Sequence, residues 1–255
     1  MAFVSFSSKI KEKTYQMVKF KRISIYADGA DIGSIKNSLN NKLISGFTTN
    51  PTLMRKSGIK DYEKFSKKVA KLVYPKSISL EVFSDDLNQM YNQAKIISSW
   101  NKNIFVKIPI VNTKGVSTNK IIEKLSDERV NLNITAIFTI KQIRSVMRVL
   151  NKKSSTILSI FAGRIADSGR DPKIIIKNSV KICKKYKNIK ILWASTREAY
   201  NIIEAANSGC HIITASDDII NKIKNFNKDL NIFSKETVQM FYKDAKSSGY
   251  KIKTK

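Results

Sequence analysis

From residue 23 onward, short apolar runs alternate with longer amphipathic stretches. The runs are RISIYAD at 22–28, GFTTN at 46–50, SISLEV at 77–82, IFVKIPI at 104–110, VNLNITAIF at 130–138, TILSIFAG at 156–163, KILWAS at 190–195 and HIITAS at 211–216, which makes eight candidate strands. Between them, apolar positions recur at helical spacing over 61–72, 86–100, 141–150, 172–186 and 197–208. Strands alternating with helices specify parallel βαβ units, and eight in succession without a linker specify one closed (β/α)8 TIM barrel, here over 23–255. The stretch 234–245 reads as a terminal helix laid over one end of that barrel. Residues 1–22 are basic with a single acid and form a separate N-terminal extension. A loosely packed tail, a short targeting segment and a true start at Met17 all fit it.

Within each strand the alternation sorts residues onto two faces. Ser24, Tyr26 and Asp28 share one face, as do Thr48 and Asn50, and then Ser77, Ser79 and Glu81. Lys107 lies opposite Val106 and Ile108, Asn131, Asn133 and Thr135 lie opposite Leu132 and Ile134, and Ser159 sits with Phe161. In KILWAS, Trp193 and Ser195 point together, with Arg197 two positions on. Barrel strands covered by helices need an apolar outer face, so the polar set must point inward. Seven strands thus aim polar groups at one interior, most of them near the C-terminal ends where barrel enzymes place their sites.

Lys107 is the most telling member of this set. A lysine inside the apolar run IFVKIPI loses hydration, which is costly unless it snorkels to water at the strand end or has a chemical task. The task suited to a desolvated amine is attack on a carbonyl to form a Schiff base. Around it the pattern gathers two carboxylates, several hydroxyls and amides, and two guanidiniums, Arg164 and Arg197. No His or Cys cluster accompanies them, so neither a metal site nor a Cys/His nucleophile is indicated. The lone His211 reads as an ordinary polar histidine, and ADGADIGS lacks the GxGxxG spacing of a dinucleotide fingerprint.

Composition changes this picture little. Hydrophobic residues make up 42% of the chain, enough for a core, and no run approaches the roughly 18 apolar residues of a membrane span. The net charge of +27 invites a nucleic-acid reading, but the lysines are spread over the whole length and no RNA-binding, zinc or zipper signature joins them. A positive field suits an anionic small substrate equally well. Cys183 and Cys210 are the only cysteines, which suggests reduced thiols and a cytoplasmic setting.

Several blocks in order also resemble a known family. YADGADI is similar to the first-strand motif of the transaldolases, GFTTNPTLMRKSG to their T-T-N-P-S/T-L signature, and SLEV, VKIP, NLNITAIF, SIFAGRI and ILWASTR to further blocks. The resemblance runs from Ile23 to about Ile223 and points to the smaller branch, which includes fructose-6-phosphate aldolase. It implies a TIM barrel in which Lys107 forms a Schiff base with a ketose phosphate and Asp28 serves as acid/base. It further implies that Glu81 and Thr135 hold a proton-relaying water. Thr48, Asn50, Asn133, Ser159 and Phe161 would contact the dihydroxyacetone moiety, and Arg164, Ser195 and Arg197 the phosphate. No metal or organic cofactor is implied; the partners are sugar phosphates and further copies of the chain, in a pathway such as the pentose phosphate pathway.

Each residue also has a blander reading taken singly: Asp28 as a helix cap, Asn50 as a turn residue, Glu81 in a surface ion pair, the arginines solvated. The chain departs from the family pattern at Gly29, where Thr is usual, at Ile160, which replaces a proline, and at Trp193, which replaces a small residue. If inward, Trp193 narrows the barrel mouth. Transfer of a dihydroxyacetone unit is the leading function. An aldolase that releases dihydroxyacetone, and a silent barrel that binds sugar phosphate or nucleic acid, are the alternatives. The free aldolases of the family typically carry Gln and Ala where this chain has Glu81 and Thr135.

Overall fold

A computed structural model describes residues 23–254, so the expected N-terminal extension at 1–22 lies outside the described residues. The chain divides into two compact units, one ending at Asn221 and one beginning at Lys222.

The first unit is a closed parallel barrel whose strands pair in sequence order: β1 (Ser24–Asp28), β2 (Ile44–Thr48), β3 (Ser77–Glu81), β4 (Ile104–Pro109), β5 (Leu132–Ile137), β6 (Thr156–Ile160), β7 (Ile189–Trp193) and β8 (Ile212–Ala215), with β8 returning to β1. All eight fall within or beside the runs that the alternation marks out. The expected helices form at Tyr62–Val73, Leu87–Ser99, Ile140–Val149, Pro172–Cys183 and Tyr200–Asn207. Sequence-coded caps start several of them: Asp61, Asp86 and Asp171 each accept a backbone N–H, and Thr139 with Gln142 forms a capping box. Further helices at Ile32–Leu39, Pro51–Lys56, Asn119–Asp127, Ala162–Asp167 and Asp217–Asn221 complete the layer. Three of these, Pro51–Lys56, Ala162–Asp167 and Asp217–Asn221, are too brief to show helical spacing. FAG at 161–163, which the apolar run assigns to the end of a strand, instead opens the helix Ala162–Asp167.

The outward strand residues Val106, Ile108, Leu132, Ile134, Leu158, Ile191 and Ile213 are fully buried under the helices. Inside the barrel a smaller apolar plug of Tyr26, Ile157, Leu192, Ala194 and Ile212, joined by Phe105 and Phe161, packs together. Gly46 makes room for it, because a Cβ there would lie 2.5 Å from the Tyr26 ring. That plug corrects the expected facing of β7. Leu192 and Ala194 point inward, so Trp193 points outward, level with Ile160 of β6 and Ile213 of β8, and is 1% exposed. It does not narrow the mouth.

The second unit holds a turn of 3-10 helix, Lys222–Asn225, and the helix Leu230–Ser247, longer than the 234–245 expected. Asp229 caps the helix, whose Leu230, Val238, Phe241 and Tyr242 are exposed. Among the described residues, no helix is long and apolar enough to cross a membrane.

Candidate active site

Strand register places the charged centre. Glu81 of β3 pairs with Lys107 of β4, and Lys107 in turn pairs with Asn133 of β5, so three inward side chains from adjacent strands meet at one level. Lys107 is 7% exposed; its Nζ donates to the Glu81 carboxylate at 2.9 Å and to the Thr49 carbonyl at 2.8 Å. The amine therefore has partners inside the barrel and does not snorkel. Its neighbour in charge is a carboxylate.

Asp28, at the end of β1, accepts a hydrogen bond from the Thr48 hydroxyl at 2.7 Å. Desolvation by burial holds its carboxyl above the ordinary range, against the opposing pull of Thr48 and Lys107, while Glu81 adds to the rise. The cap of the following helix is Asp31, which leaves Asp28 free for the interior. Asn50, whose blander reading is a turn residue, instead caps the helix Pro51–Lys56: its Oδ1 accepts from the Leu53 N–H at 3.0 Å while the residue still lines the cavity. Asn133 bridges the barrel, donating to Ser79 at 2.9 Å and accepting from Ser159 at 2.6 Å.

These side chains surround one cavity of about 450 Å³, and all twelve residues singled out from the sequence line it: Asp28, Thr48, Asn50, Glu81, Lys107, Asn133, Thr135, Ser159, Phe161, Arg164, Ser195 and Arg197. The volume is that of a small-molecule site. Two non-glycine residues at the strand ends take left-handed backbone, Ala136 (φ 57°) and Ser195 (φ 64°). Such conformations are sparsely populated and concentrate at functional sites. At Ser195 the consequence is direct. The left-handed turn breaks the alternation, so Ser195 faces the cavity immediately after the inward Ala194. Gly163 allows this, since a Cβ there would sit 1.6 Å from the Ser195 carbonyl oxygen.

The arginines differ in their surroundings. Arg164 lies over the Phe161 ring, 5.9 Å from its centre, and forms no ion pair among the described residues. Arg197 is paired: its Nε donates to Asp167 at 3.1 Å and its Nη2 to the second oxygen of the same carboxylate. That pair holds the Asp167 carboxyl below the ordinary range and raises Arg197. Sequence reasoning passed over Asp167 because it lies 30 positions from its partner. It also passed over Thr214, although Ile212, Thr214 and Ser216 alternate in HIITAS as the other inward sets do. Thr214 is 6% exposed and lines the cavity, so all eight strands serve the interior. Among the described residues, no three His, Cys, Asp or Glu side chains come together as a metal site would require.

The closed (β/α)8 barrel sets a buried lysine in ion-pair contact with Glu81, with Asp28 and two arginines lining the same cavity, at the strand ends where barrel enzymes carry their sites. The comparisons specify the family. The family described as Transaldolase/Fructose-6-phosphate aldolase matches residues 25–253. A "probable transaldolase" of Dehalococcoides mccartyi is 35% identical over 191 residues, covering 74% of this chain and 85% of that protein. A "probable transaldolase 2" of Listeria monocytogenes is 32% identical over 225 residues, covering 84% and 99%. The chain belongs to the transaldolase/fructose-6-phosphate aldolase family. At the level of fold alone, it superposes on KGPDC from Streptococcus mutans with a TM-score of 0.52 at 8% identity, covering 76% of this chain and 88% of that one.

Proposed function

We propose that this protein is a transaldolase that carries a dihydroxyacetone unit from sedoheptulose 7-phosphate or fructose 6-phosphate to an aldose phosphate, through a Schiff base on Lys107. The observation that carries the reading is the Lys107–Glu81 contact at 2.9 Å inside the cavity, beside an Asp28 held above its ordinary range. Glu81 takes a proton from the ammonium, and the neutral amine attacks the ketose carbonyl. Loss of water gives the iminium, with Glu81 and Thr135 holding the water that relays protons. Asp28 then accepts the proton of the C4 hydroxyl as the C3–C4 bond breaks. The bonding electrons flow into the iminium, leaving an enamine on Lys107 and releasing an aldose. An acceptor aldehyde adds to the enamine in the reverse sense, and hydrolysis frees the lysine.

The dihydroxyacetone hydroxyls would bond to Asn50, Asn133 and Ser159, with Thr48 and Phe161 completing the wall. Arg164, Ser195 and Arg197 would take the phosphate; the fork of a guanidinium matches such an anion. For Arg197 this means turning donors past Asp167 or sharing them with it. We also propose a cytoplasmic reaction in the pentose phosphate pathway, in a self-associating protein. Two unpaired, buried thiols suit a reducing compartment; burial raises Cys183 to about 11 and Cys210 to about 12.

The test is borohydride reduction with fructose 6-phosphate followed by peptide mass spectrometry, together with an assay of free dihydroxyacetone with and without erythrose 4-phosphate. A label on Lys107 and transfer well above release support the reading. Release without acceptor as fast as transfer with one would make the protein an aldolase; no label with good substrates would remove the Schiff base.

A further inference from the structure

Thr48 of β2 and Thr214 of β8 lie on the two strands that flank β1, which carries Asp28. The Thr48 and Thr214 hydroxyl oxygens are 2.5 Å apart, and Thr48 donates to Asp28 at 2.7 Å. Both threonines are buried, at 4% and 6% exposure. A hydroxyl has one proton to give and two lone pairs to receive with. With Asp28 ionised, the single Thr48 proton is committed to the carboxylate, so the hydrogen between the threonines must come from Thr214. The chain runs from Thr214 through Thr48 to Asp28. When Asp28 holds a proton, both hydroxyls can rotate and the chain runs the other way with no heavy atom moving.

We propose that Thr214 is a positioning residue: through Thr48 its hydroxyl orients the Asp28 carboxylate and sets how readily that carboxylate exchanges a proton. This deepens the proposed function, because it rests on Asp28 as the acid/base of that reaction. A hydrogen-bond chain that ends on a charge is stronger than its neutral counterpart, and each donor polarises the next. Thr214 therefore favours the ionised carboxylate, working with Lys107 and against desolvation and the Glu81 charge. Lys107 from β4 and Glu81 from β3 are the charged groups that act on Asp28; β2 and β8 present only the hydroxyls Thr48 and Thr214. The backbone contacts of Thr214 are structural: it pairs in register with Tyr26 of β1 and its carbonyl accepts from the Thr196 hydroxyl at 2.7 Å, and a side-chain replacement leaves both in place.

The experiment is a carboxyl-carbon NMR titration of the full chain labelled at aspartate, with Asp28 assigned by Asp28→Asn. Thr214→Val keeps the branched shape and removes the hydroxyl, and Asp28 should then titrate at higher pH. Thr214→Ser restores the hydroxyl and should return the titration to that of the unsubstituted protein. In a Thr48→Val background, Thr214→Val should produce no further change, since the effect passes through Thr48. In transfer assays the acid side of the kcat/KM profile should fall roughly threefold to tenfold in Thr214→Val and recover in Thr214→Ser. An unmoved Asp28 titration, or a shift that persists without Thr48, overturns the proposal. The titration needs no turnover, so a protein that transfers nothing would refute the proposed function while the NMR result still decides the role of Thr214.

Discussion

Glu81 makes two contributions that a single substitution separates. In the resting site its carboxylate is the ion-pair partner of Lys107, and in the proposed cycle it manages the water that protonates or hydrolyses the enamine. A transferase must keep the carbanion equivalent on the lysine until an aldehyde arrives. Glu81→Gln should therefore lower the ratio of transfer to released dihydroxyacetone, read as free dihydroxyacetone per erythrose 4-phosphate consumed. Arg197 poses a different question, because Asp167 already engages two of its N–H groups. An exposed pair of this kind contributes little stability. Arg197→Ala should leave thermal unfolding nearly unchanged while lowering kcat/KM for phosphorylated acceptors about tenfold to hundredfold, the worth of one charge-assisted contact. Equal losses with non-phosphorylated glyceraldehyde would mark the residue as structural.

At the scale of elements, the closure between β7 and β8 is short, with two residue pairs in register, and His211 extends it. Its Nδ1 accepts from the Ile191 N–H at 3.0 Å, which requires that nitrogen to be unprotonated. Burial, and then the Lys190 charge, hold the ring below the ordinary 6.5. The folded state thus prefers the neutral ring. The stability this contributes is fully present above the ordinary histidine range and is lost as pH falls through 6.5 toward the folded value. Denaturant unfolding followed between neutral and mildly acid pH should show this decline. His211→Asn, whose amide oxygen can replace Nδ1 as acceptor, should flatten it. The contact between the helix Ala162–Asp167 and the end of β7 is tighter still. Gly163→Ala drives a Cβ into the Ser195 carbonyl, and should cost about 1–3 kcal/mol in stability together with a raised KM for phosphorylated substrate.

For the whole molecule the dominant quantity is charge. Lysine and arginine number 47 against 20 aspartates and glutamates, a net positive charge that attracts anionic substrates. Such steering is screened once the Debye length falls from about 30 Å to a few ångströms as salt rises. Values of kcat/KM for a phosphorylated acceptor should fall with ionic strength, while those for glyceraldehyde stay level. A flat response for both would show that the excess lysines play no part in substrate capture.

Barrel order, the lysine among inward polar groups and twelve of the cavity-lining residues are legible in the chain, because strand alternation and strand-end residue types are local properties. The family blocks then narrow the chemistry. What only the tertiary structure decides lies where locality ends. Alternation turns Trp193 inward because Ser195, two positions on, is a site residue, yet Ser195 reaches the cavity through left-handed backbone that breaks the period of two. Ile160 and Trp193, which in the sequence look like two separate changes to the site, are paired neighbours on the outer face of the sheet and belong to the packing under the helices. The contact between Thr48 and Thr214 joins residues 166 positions apart, and the one between Arg197 and Asp167 joins residues 30 apart. The first exists only because the barrel closes, and the second because two consecutive strand ends bring their following segments side by side. A periodic pattern reports which face a residue takes while the backbone stays extended; it carries no information about which partner the closed fold sets against that face.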